Sequence, residues 1–170
     1  MRVCLAVLLL LLAFVASCAS ERQDADGPME LGAGGAWLLD VESHHERIDA
    51  AVARGDFAEA AREAEAALGV AVPVSVAAAH RRSLHQDLAF RLAGAWLSAG
   101  QFDRALEASE RGLALGRHDD LFTANLLFSA GRALEALGRD SDAVARYHDA
   151  LKINEALLRQ VLDADGGADP

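Results

Sequence analysis

Arg54-Gly-Asp-Phe-Ala-Glu-Ala60, Ala99-Gly-Gln-Phe-Asp-Arg-Ala105 and Leu137-Gly-Arg-Asp-Ser-Asp-Ala143 are three versions of one stretch of sequence. Each continues alike: a small or aromatic residue four positions after the alanine (Ala64, Ser109, Tyr147), then a small residue followed by leucine (Ala67-Leu68, Gly112-Leu113, Ala150-Leu151). Gly55, Gly100 and Gly138 fall where a helix ends and the chain reverses, a place that needs a left-handed backbone without a Cβ clash. Ala60, Ala105 and Ala143 fall on the inward face of the next helix, where a methyl group lets two helix axes approach to about 8–10 Å. Phe57 and Phe102, just after the turn, are placed to plug the end of a helix pair.

The flanking sequence extends the pattern backwards into a first helix for each unit. Leu92-Ala93-x-x-Trp96 and Ala130-Gly131-x-x-Leu134 precede the second and third units, and Arg47-Ile48-x-x-Ala51 stands, with a poorer fit, in the first. Together these segments resemble the tetratricopeptide repeat (TPR) family over residues 38 to 158. The chain departs from that family in two ways. The closing proline is missing, with Arg117 and Glu155 at the two later sites, and the glycines stand 45 and 38 residues apart against about 34 in the family. Extra chain therefore lies between the first and second units, around Val70 to Gln86. The resemblance implies an all-α fold, a short right-handed superhelix of about three TPR-like antiparallel helix pairs. A non-repetitive helical bundle is the alternative that the departures leave open.

Periodicity predicts six helices, at 38–53, 57–69, 75–99, 103–116, 120–137 and 141–162. Val70 to Val76 is the one strand-like run, and Pro73 interrupts it. His118-Asp119-Asp120 reads as a helix start, an aspartate there accepting backbone N–H bonds. The last helix carries a polar face (Arg146, Asp149, Lys152, Glu155, Arg159), so it serves as the end of the array with no separate cap. Residues 163–170 read as a disordered acidic tail.

Ahead of the helical domain (37–162), Ser20 to Ala36 holds charge, Gly27-Pro28 and Gly32-Ala-Gly-Gly35 without periodicity, and reads as a flexible tether. No strand precedes the glycines and no lysine follows them, so they are no phosphate loop. Met1-Arg2 and the 14 apolar residues Val3 to Ala16 read as a signal peptide over 1–17, short for a membrane span of roughly 20 residues. Val15-Ala16-Ser17-Cys18 resembles the bacterial lipobox. That resemblance implies a diacylglycerol on the Cys18 thiol, cleavage before it, and a lipidated tether over 18–36. Ala19, in place of a retaining aspartate, implies the outer membrane facing the periplasm if the cell has one. Ordinary secretion and an uncleaved anchor are the competing readings. With Cys4 removed and Cys18 acylated, no thiol remains for a disulfide or a thiolate metal site.

The formal net charge of −10 argues against nucleic acid or an anionic lipid surface as partner, since both would be repelled. A content of 52% hydrophobic residues with only 5% aromatic suits a folded, alanine- and leucine-rich helical chain rather than a disordered one.

No catalytic signature stands in the sequence: no Gly-x-Ser-x-Gly, no His-Glu-x-x-His, no Gly-x-x-x-x-Gly-Lys. An enzyme is not expected, nor is a cofactor. His44-His45 point about 100° apart on a helix and His80 and His85 about 140° apart, so neither pair shares a face for a metal. The TPR resemblance implies instead a concave groove lined by the first helices. By register its faces are Asp87, Phe90, Arg91, Gly94, Leu97 and Ser98, then Asn125, Phe128, Ser129, Arg132 and Glu135. Phe90 and Phe128 hold matching places in adjacent units and are candidate anchors for an apolar partner side chain, the alternative being that they are core. The expected function is a membrane-anchored adaptor of the bacterial cell envelope that binds a peptide or helix of a partner protein. An assembly or pilot lipoprotein for an outer-membrane machine, an accessory subunit docking without a groove ligand, and self-association through end helices stand beside it.

Overall fold

In the computed structural model, which describes residues 32–166, the three glycine turns close in the same way. Gly55, Gly100 and Gly138 have φ of +75°, +69° and +72°. The residue after each glycine donates its N–H back to a carbonyl in the last helical turn: Asp56 to Ala51 at 2.9 Å, Gln101 to Trp96 at 2.8 Å, Arg139 to Leu134 at 2.8 Å. This is the Schellman end, which satisfies carbonyls that would otherwise be orphaned. A Cβ at any of these glycines would meet nothing within 4 Å, so the backbone angle alone selects the residue.

Between these reversals lie six helices: α1 (Ala33–Ala53), α2 (Phe57–Gly69), α3 (Ala78–Ser98), α4 (Phe102–Ala114), α5 (Leu121–Ala136) and α6 (Asp140–Gly166). They form three antiparallel pairs, α1/α2, α3/α4 and α5/α6, with α2 packed on α3, α4 on α5, and α3 on α5. Asp56 and Asp120 start α2 and α5, their carboxylates accepting the N–H of Glu59 at 3.0 Å and of Thr123 at 2.8 Å. The second is the start that the aspartates at 119–120 predict.

The interior is one of methyl groups. Ala60, Ala61, Ala64 and Ala67 line the inner face of α2 against Val41, Ile48 and Ala51 of α1 and Leu88 and Leu92 of α3. A second cluster joins Ala89 of α3, Leu113 of α4, Leu126 and Leu127 of α5 and Ala150 and Ile153 of α6. The tightest crossing is at Gly112, where an added Cβ would stand 2.9 Å from that of Ala89 and 2.8 Å from the Leu126 methyls. Contacts that close need a residue with no side chain at the crossing.

Three boundaries differ from the sequence reading by three residues or more. The tether was expected to reach Ala36, yet α1 begins at Ala33. Trp37 and Val41 are buried on the alanines of α2, and Gly34 sits close against Ser75 and Val76, so packing makes helix of a glycine-rich stretch. The third helix starts at Ala78 rather than 75, because Val70, Val72 and Val76 of the connection pack on the first core while the Val76 N–H bonds the Pro73 carbonyl at 3.0 Å. The acidic tail was expected from 163, and α6 runs on to Gly166. Residues 1–31, including Cys18 and the signal peptide, and residues 167–170 lie outside those described. Among the described residues no helix is long and apolar enough to cross a membrane.

Candidate protein-interaction site

The faces of the first helices are joined by an ionic ladder. The Arg91 guanidinium on α3 donates to Asp87 one turn earlier at 2.9 Å and reaches across to Asp49 of α1 at 2.8 Å. His45 of α1 lies 3.4 Å from the same Asp87 carboxylate. Burial, and then the neighbouring Arg91 charge, lower the His45 pKa, against the opposing pull of Asp87 and Asp49. Beside it, His44 and Arg47 hold Glu63 of α2 at 2.9 Å and 2.7 Å, and the Glu63 carboxyl is lowered by those two hydrogen bonds. Each histidine of the 44–45 pair thus has its own carboxylate, on different helices. Among the described residues no group of three or more His, Cys, Asp or Glu could hold a metal ion.

The sequence-derived groove residues separate into three kinds. Asp87 and Arg91 form the ladder; Gly94 and Ser98, on the same face of α3, and Asn125, Phe128, Arg132 and Glu135, along α5, are exposed or partly so. Gly94 opens on free space, with nothing within 4 Å of a Cβ there. Leu97 does not belong to the groove. It is 9% exposed, buried between Ala105 of α4 and Ala133 of α5, because α5 packs closely on α3 and covers it. Ser129 is buried as well.

Phe90 and Phe128 occupy equivalent places but unlike surroundings. Phe90 is half-buried against the cluster that includes Leu113, Ala124 and Leu127, packed there by the next helix pair. Phe128 has no such cover and is 51% exposed. Its ring lies 5.5 Å from that of Tyr147 on α6, tilted by 48°. The Tyr147 hydroxyl donates to Glu135 at 2.7 Å, and burial followed by this bond pushes its pKa up to about 12. Gly131 makes the arrangement possible, since a Cβ there would stand 2.5 Å from the tyrosine ring. Sequence reasoning passed over Tyr147 as a site residue. The signal was present: a large aromatic stands where the other units have Ala64 and Ser109, opposite a glycine.

The fold and these faces define a class, the all-α helical-repeat superhelix of the TPR-like kind. A TPR-like protein from Chlorobium tepidum, known by its crystal structure, superposes on the chain with a TM-score of 0.57 at 19% identity, covering 71% of this chain and 82% of that one. At that identity the likeness concerns the fold alone. No protein-family model and no curated protein matches the sequence.

Proposed function

We propose that this protein is a lipid-anchored adaptor of the bacterial cell envelope that holds an extended or helical segment of a partner protein in its concave face. The observation that carries the reading is the row of unfilled positions along the first helices: Gly94 and Ser98 on α3, then Asn125 and Arg132 on α5, flanked by the Asp49–Arg91–Asp87 ladder. The ladder fixes α1 against α3, so the face is preformed and a ligand need not order it on binding. Mixed charge with open small residues suits a polar segment with few bulky side chains. The lipobox-like run ending at Cys18 supplies the membrane attachment in this reading.

The test is affinity purification of the full-length protein from detergent-solubilised membranes, beside Gly94→Arg/Ser98→Arg. Two arginines there fill the face without touching the core. A protein recovered near stoichiometrically with the wild type and lost with the variant carries the reading. Equal recovery from both, with the variant's helical circular dichroism unchanged, sinks it.

A further inference from the structure

We infer that the α5–α6 end of the array is a dimer interface, on which the α6 helices of two copies of this chain pack antiparallel. The internal repeat supplies the first argument. Second-helix positions that face the following unit are buried or partly buried in the first two units: Ala61, Ala64 and Leu68 in the cluster with Leu88 and Leu92 of α3, then Leu106 and Leu113 in clusters with Ala133 and Leu126 of α5, with Ser109 buried between them in sequence. The equivalent positions in the third unit are Val144, Tyr147 and Leu151; Tyr147 is partly buried, and Val144 and Leu151 are more than half exposed. Leu113 is 6% exposed and its counterpart Leu151 is 54% exposed. Phe128, the counterpart of half-buried Phe90, is likewise open beside Tyr147. The last seam is built like the covered ones and has nothing upon it among the described residues.

The shape of α6 selects the occupant. This helix has 27 residues against 16 in α5, so about 11 residues, roughly 16 Å, outrun its own partner. The apolar stripe continues into that extension: Val144, Leu151, Leu158 and Leu162 recur on one side of the helix, and Leu158, Val161 and Leu162 are each more than half exposed. A helix of the length of α5 laid in the seam would leave the extension bare. A second α6 running the other way covers it.

The sequence of α6 is self-complementary in that arrangement. Let the two-fold axis pass between Ile153 and Asn154. Leu151 of one copy then falls within two residues, about 3 Å along the axis, of Leu158 of the other, Tyr147 within one residue of Val161, and Val144 within one residue of Leu162, near enough for the stripes to interdigitate. On the flank of the stripe Lys152 of each copy meets Glu155 of the other, which are opposite charges at a helix–helix edge. The chain as a whole carries −10, but His148, Lys152, Glu155 and Arg159 leave this flank without an acidic excess, so two copies can approach here. A two-fold contact of this kind is isologous and closes at two copies. It adjoins the α5 edge of the concave face at Phe128, but Gly94 and Ser98 of α3 and Leu151 and Leu158 of α6 belong to one surface each, so substitutions there test the two readings separately.

The test is sedimentation equilibrium of the full chain in a density-matched non-ionic detergent. The wild type is expected as a dimer, Leu151→Glu/Leu158→Glu as a monomer with unchanged helical circular dichroism, and Gly94→Arg/Ser98→Arg still as a dimer. Lys152→Glu alone and Glu155→Lys alone each set like charges opposite one another and raise the dissociation constant about tenfold. An equimolar mixture of those two single variants restores both opposite-charge pairs and returns to wild-type affinity. A monomeric wild type overturns the inference, as does a mixture no tighter than its components. A photo-reactive amino acid in place of Leu158 that cross-links only to a different protein also overturns it, assigning the seam to that protein's helix.

Discussion

Glycine has a different role at each of three positions in one helix pair, and the sign of a substitution follows from the geometry. At Gly100, with φ of +69°, alanine is expected to destabilise the fold by about 1 kcal/mol through backbone strain alone. At Gly94 the backbone is helical and the space open, so alanine is expected to stabilise by about 0.5–1 kcal/mol. At Gly112 the same helical gain is opposed by the Ala89 Cβ, which is fixed to its backbone and cannot yield. Overpacking of up to about 3 kcal/mol outweighs it there, for a net loss of about 2 kcal/mol. Urea unfolding midpoints at unchanged slope check all three. The sequence announces the first kind, because a glycine recurs at every turn. At Gly112 it marks only a small residue before leucine, as at Ala67 and Ala150, and not that α4 slots between α3 and α5 too closely for even a methyl group.

At the scale of the element, acid acts at two places on α3: the contact with α1, through His45, and the cavity between α2 and α4, through His85. His45 and His85 both titrate below the usual histidine range, burial being the first cause in each. The folded state therefore favours the neutral rings, and the unfolded chain takes up these protons first as the pH falls. Stability is expected to be full above about pH 7 and to decline as the pH drops below the ordinary histidine value of roughly 6.5, flattening once the folded pKa values are passed. Denaturant midpoints at pH 7.5 and 5.5 measure the difference, and His45→Gln is expected to shrink it. Glu63, lowered by Arg47 and His44, adds a further loss below the ordinary carboxylate range. Helix positions were largely readable at this scale, since the alanine and leucine periodicity marks each buried face. The ends were less so: α1 gained five residues through the docking of Trp37, and Leu97 left the groove for the core because α5 lies so close to α3.

For the whole molecule, location and contacts separate experimentally. In the adaptor reading Cys18→Ser moves the protein from the membrane fraction to the soluble fraction while its helical circular dichroism and thermal midpoint stay the same. Retention of that variant in the membrane would mean that the apolar N-terminal run, and not a lipid, is the anchor. Because the α3 part of the proposed groove lies outside the proposed dimer seam, a bivalent assembly follows if both hold. Each dimer would then present two partner sites from one membrane-bound base, with the gain in avidity that linkage brings.

Sequence by itself determined the class of fold and the place of each reversal, for a physical reason: left-handed turns and close helix crossings admit very few residue types, so glycine and alanine recur at fixed spacing. It also set Asp120 at a helix start, because a carboxylate there meets free N–H groups. Which helix faces remain open was decided by tertiary structure. Phe90 and Phe128 are the same residue at the same place in the repeat, and Leu113 and Leu151 likewise. One member of each pair is covered and the other bare, because exposure depends on whether another helix follows in space, and a repeat motif read one unit at a time carries no record of its neighbours.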